Sequence, residues 1–67
     1  MITGVIATFD DHRGDGMMRS DDGQLFYFHC VAIEDGSRTI LVGVRAAGER
    51  HVGRLGKDEL AHVTTLL

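Results

Sequence analysis

The sequence predicts an all-β chain closed into a small barrel of five antiparallel strands, on three observations. It carries nine glycines and no proline. Its apolar runs are short and dominated by β-branched and aromatic residues, and turn signals rich in Asp and Gly separate them. Five such runs fit within 67 residues, and closing them into a barrel removes the sheet edges that would otherwise pair with other chains.

Residues 5–9 read as strand 1, and the polar turn at 10–14 ends in Gly14, which accepts a positive φ. Residues 17–19 make strand 2. The turn signal Asp21-Asp22-Gly23 then closes a hairpin onto strand 3, residues 25–29, so that the first three strands form a meander. Residues 31–33 suit a short helical turn and residues 34–39 a loop. Residues 44–49 give a weakly marked strand 4, and residues 60–66 give strand 5. In strand 3 the period of two sends Phe26 and Phe28 to one face and Tyr27 and His29 to the other. The first pair fills the core. The second offers two flat rings on the opposite surface, suited to bases or to a protein partner.

Length and composition bound the rest. A 67-residue chain is expected to be one domain, residues 1–67, with one small core and marginal stability. No apolar run approaches the roughly 18 residues of a membrane span, and no basic start leads into an apolar stretch as in a signal peptide. A soluble, cytoplasmic protein is expected, with no membrane partner. Cys30 is the single cysteine, which excludes an intrachain disulfide and a Cys-x-x-Cys zinc site.

The net charge of −3 conceals an asymmetry. Residues 1–22 hold five acids and two bases, whereas residues 37–57 hold Arg38, Arg45, Arg50, Arg54 and Lys57 against Glu49. Such a basic stretch can follow a phosphate backbone if its members converge, and otherwise serves solubility.

The order Gly4-Val5-Ile6, Phe9, Arg13-Gly14-x-Gly16, Asp21-Asp22-Gly23, Phe26-Tyr27-Phe28-His29, Ala32-Ile33, Asp35-Gly36, Thr39-Ile40, Gly43 and Ala61-x-Val63 resembles the cold-shock domain family along nearly the whole chain. The resemblance implies a five-stranded OB-fold barrel that binds single-stranded DNA or RNA through two motifs on adjacent strands. The family's Lys-Gly-Phe-Gly-Phe-Ile stands here as Arg13-Gly14-Asp15-Gly16-Met17-Met18, and its Val-Phe-Val-His-Phe as Phe26-Tyr27-Phe28-His29-Cys30. Thr8 replaces the strand 1 tryptophan, Asp15 and Met17 replace two phenylalanines, Cys30 replaces another aromatic, and Ser37 stands where a loop aromatic caps the last base.

Each lost stack weakens binding by about 1 to 3 kcal/mol, so three at the low end amount to roughly a hundredfold. What the resemblance leaves is a site of Phe9, Tyr27 and His29 for stacking, with Arg13, Arg38 and Arg54 for phosphates. Weak, salt-sensitive binding of single-stranded RNA or DNA is the first functional expectation, in a role such as RNA chaperone or regulator. The alternative is a diverged barrel that has exchanged nucleic acid for a protein partner or a second copy of itself, motivated by Asp15 and Met17 beside Tyr27. In strand 4, Ala46-Ala47-Gly48 takes the place of larger core residues. The barrel is therefore expected to be underpacked there unless Leu41, Val42, Val52, Leu55 or a second chain fills the space, with a low or concentration-dependent melting temperature.

Enzymatic readings find little support. Neighbouring strand residues point to opposite faces, so His29 does not serve Cys30 as a base. The histidines at 12, 29, 51 and 62 lack ligand spacing, Asp10-Asp11 lacks the order of a calcium loop, and Gly14-x-Gly16 opens no helix. No enzyme activity, metal or cofactor is expected.

Overall fold

The computed structural model describes residues 1–53, 56 and 58–66. Its strands are β1 (Ile2–Asp10), β2 (Asp15–Ser20), β3 (Leu25–His29), β4 (Arg45–Val52) and β5 (Asp58–Thr65), with a 3₁₀ turn at Cys30–Ala32 between β3 and β4. They close into a barrel in the order β1-β2-β3-β5-β4, with β4 returning to β1. This is a small OB-fold barrel. Its pairings are antiparallel except where β3 meets β5, a parallel contact at Tyr27 and Glu59.

The turns follow from side-chain chemistry. Asp10 Oδ1 accepts from the backbone N–H of His12 at 2.9 Å and of Arg13 at 3.1 Å, and Gly14 completes the turn at φ 73°. At the second hairpin Ser20 Oγ accepts from the Gln24 N–H at 3.1 Å, with Gly23 at φ 94°. β3 has the expected bounds, whereas the other strands differ from expectation. β1 begins at Ile2 because Ile2 and Thr3 pair with Gly48 and Ala47 on β4, and Gly4 packs between Ser20 on β2 and Ala46 on β4. A Cβ on Gly4 would sit 2.1 Å from the Arg19 carbonyl oxygen, so the close approach requires glycine.

A register shift in the β1–β2 ladder matters most for the site. Ile6 faces Met18, yet Thr8 faces Met17 and Phe9 faces Gly16. Ala7 is thus an extra residue that exchanges the faces of everything after it. Phe9 turns inward, where its ring stacks on Phe28 with centroids 5.9 Å apart. Thr8 turns outward.

The core comprises Ile6, Met18, Phe26, Phe28, Ile33, Ile40, Ala46, Leu60 and Val63, with Phe9, Cys30 and Val44 packed at its edge. Strand 4 is small on its inner side, as expected, with Ala46, Ala47 and Gly48 all buried. Leu60 on β5 packs against this side: a Cβ on Gly48 would lie 3.4 Å from Leu60 Cβ and Cδ1. Leu41, Val42 and Val52 are 75, 59 and 64 % exposed and fill nothing. The expectation for Leu55 lies outside the described residues.

Candidate nucleic-acid interface

Residues paired across a sheet share a face, so the register defines the outer rows of the meander. One row runs Thr8–Met17–Tyr27, and the next runs Asp10–Asp15–His29. Of the residues expected to carry binding, Tyr27 and His29 lie on this outer surface, Tyr27 half-buried and His29 exposed. Phe9, on the neighbouring row, is half-buried, with one face of its ring stacked on Phe28.

Asp15 is the centre of the arrangement. Arg13 donates to Asp15 Oδ1 from Nε at 3.0 Å and from a terminal nitrogen at 2.9 Å, while the Tyr27 hydroxyl donates to Asp15 Oδ2 at 3.0 Å. The carboxylate is largely covered, its side chain 15 % exposed, whereas that of Arg13 is 72 % exposed. The hydrogen bonds from Arg13 first, and that from Tyr27, hold the Asp15 carboxyl below its ordinary range. Desolvation first, then the bond to Asp15, raises the Tyr27 phenol. The acid on the face is therefore neutralised, at the expense of part of the Arg13 charge. Glu59 on β5 sits beside Tyr27 through the parallel contact, a neighbour that no local sequence signal announces.

His29 caps the 3₁₀ turn. Its Nδ1 accepts from the Val31 N–H at 3.4 Å, which places the ring proton of the neutral imidazole on Nε2. Cys30 opens the turn instead of extending the strand, and its Sγ lies 3.7 Å from His29 Nδ1. The two side chains are thus neighbours, contrary to the strand argument, because the backbone leaves the strand at that residue.

The segment after the turn borders the face. Thr39 Oγ1 donates to Asp11 Oδ1 at 2.8 Å, which ties this segment to the β1–β2 turn that carries Arg13. Asp35 Oδ1 accepts from Ser37 N at 2.9 Å and Oγ at 2.7 Å. Between these anchors Arg38 is exposed and takes φ 61°, an uncommon conformation for a residue with a Cβ.

Among the described residues of the basic stretch 37–57, Arg38, Arg45 and Arg50 do not converge. Arg45 makes two bonds to Asp21 at 2.8 and 3.1 Å near the opposite end of β1, and Arg50 pairs with Asp58 at 3.2 Å. Arg54 and Lys57 lie outside the described residues. Among the described residues no group of His, Cys, Asp and Glu is arranged to hold a metal ion, and no helix is long and apolar enough to cross a membrane. No family model matches the chain, and no curated protein matches it.

Proposed function

We propose that this OB-fold barrel is a diverged cold-shock-like protein that binds single-stranded RNA or DNA weakly across the outer face of β1, β2 and β3. The observation that carries the reading is the Arg13–Asp15–Tyr27 brace. Without it a bare carboxylate would repel phosphates from the middle of the face. With it, the brace positions a phenol ring beside a guanidinium whose outer edge is free.

Tyr27 and His29 stack on bases. Arg13 and Arg38 meet phosphates, joined by Arg54 as the family resemblance implies. Phe9 joins Tyr27 and His29 from the edge of the face, half-buried against Phe28. The protein acts in the cytoplasm, as an RNA chaperone or regulator. Anisotropy titration of a labelled pyrimidine-rich strand at about 50 mM salt tests this, since phosphate contacts are strongest at low salt. Saturable binding that Tyr27→Ala weakens supports the reading, and the absence of saturation contradicts it.

One observation favours a second reading. Met17, Leu25 and Tyr27 line an apolar hollow bordered by Asp58 and Glu59, a combination suited to a basic protein surface, whether of another protein or of a second copy of the chain. Light scattering tests self-association: a strictly monomeric chain at high concentration removes that version.

A further inference from the structure

A cluster outside the candidate interface joins three parts of the barrel. His62 on β5 sits where the β4–β5 register shifts, with Ala47 facing Thr64 and Glu49 facing Ala61. Its backbone is left-handed, at φ 53°, which is uncommon for a side chain larger than glycine's. In this conformation the imidazole lies between two carboxylates from other elements. Nδ1 bonds Oε1 of Glu34, the first residue after Ile33, and Nε2 lies 3.8 Å from Oε2 of Glu49 on β4.

Other ionisable groups share its surroundings. His29 from β3, His51 from β4 and Glu59 from β5 line the groove on one side. Met1, with its α-amino group, lines the hollow on the other side.

A neutral imidazole has one N–H and one lone pair, so it can donate to only one carboxylate and must turn the lone pair toward the other. Two carboxylates facing the two nitrogens are a site for the doubly protonated ring. Consistent with this, the Glu34 hydrogen bond and charge, followed by the Glu49 charge, raise the His62 imidazolium above its ordinary value.

We propose that His62 is a proton-operated latch which, when charged, fastens the start of the segment 34–44 to strand β4. The segment it holds carries Arg38 and is tied farther on, through Thr39, to Asp11. Its first residue has a second attachment, the Glu34 N–H donating to the Val63 carbonyl at 2.9 Å. Loss of the proton therefore loosens this margin of the barrel without detaching it. The sign follows from the raised value. The latch contributes stability that is fully present below the ordinary histidine value and is lost as pH rises through the folded value.

The latch is a property of the free protein, so its test needs no nucleic acid and its failure leaves the binding proposal untouched. Proton NMR of the histidine ring signals gives the His62 titration midpoint in the wild type and in Glu34→Gln. Thermal melts across about pH 5 to 8, the interval in which histidine charges change, give the linked stability. His62→Asn serves as the non-titrating variant, because asparagine tolerates the left-handed backbone.

The proposal expects the His62 midpoint to fall in Glu34→Gln. It also expects the wild-type melting temperature to drop as pH rises through that midpoint, with no such drop in His62→Asn. Coincident midpoints in wild type and Glu34→Gln would overturn it. So would a pH dependence that survives in His62→Asn.

Discussion

Replacing Thr8 with tryptophan tests both the bulge at Ala7 and the binding face. The register places Thr8 outward and opposite Met17, in the row that continues to Tyr27. Two strand spacings separate Thr8 from Tyr27, roughly 10 Å, so an indole at position 8 and the Tyr27 ring take different bases. One added stack is worth about 1 to 3 kcal/mol, which is about a 5- to 150-fold tighter Kd. The chain has no tryptophan, so the new indole is also the sole reporter of its kind. Titration with a single-stranded oligonucleotide should quench its fluorescence saturably, with a Kd at least about fivefold below the wild-type value from anisotropy. Adding Tyr27→Ala should remove part of the gain in affinity. An unchanged Kd with an unquenched indole would refute the reasoning, because a ring at that position on a binding face must meet a base.

Salt dependence follows from the number of cations on the face. With Arg13 and Arg38 engaged, log Kd should change by about 1.4 per log unit of salt, a loss of about sevenfold between roughly 50 and 200 mM; engaging Arg54 as well raises this to about 20-fold. A flat response measured by anisotropy contradicts phosphate contacts. Phe28 is fully buried and stacked on Phe9, so Phe28→Ala should destabilise the fold by about 3 to 5 kcal/mol. A chain of this length holds only about 3 to 10 kcal/mol in total, and circular dichroism should show the variant unfolded or melting at least about 12 °C lower. Hydrogen bonds from Arg45 first and then Thr3 lower the Asp21 carboxyl to about 2. The sign is that of a depressed acid: its stabilisation is present above the ordinary aspartate value and is lost as pH falls through about 2. Acid melts of Asp21→Asn should show a smaller loss over that interval than the wild type.

The sequence conveys elements whose alternation is clean. β3 is the clearest case, since Phe26 and Phe28 against Tyr27 and His29 mark both faces of one strand. The fold class and the two hairpin turns are legible for the same reason, as short-range chemistry sets them. β4 and β5 extend beyond their expected limits toward each other because His51 and Val52 pair with Glu59 and Asp58 at a largely exposed rim, where no apolar alternation marks a strand. The bulge at Ala7 is invisible in the sequence, since nothing local distinguishes an extra residue from a paired one, and the inward turn of Phe9 is invisible with it. Asp15 is legible as a charge beside Tyr27, but the hydrogen bond between these residues, 12 positions apart, is set by the β2–β3 register. The His62 cluster joins residues 34, 49 and 62 through the closure of the barrel, and no spacing rule connects them.

The central claim is that the outer face of β1, β2 and β3 holds single-stranded nucleic acid. Amide NMR during titration with a short single-stranded oligonucleotide tests it most directly. Saturable shifts are expected at Asp15 to Met17, Tyr27 to His29 and Arg38 to Thr39, with Glu49 and Arg50 on β4 unmoved. Shifts confined to β4, or none that saturate, would contradict it.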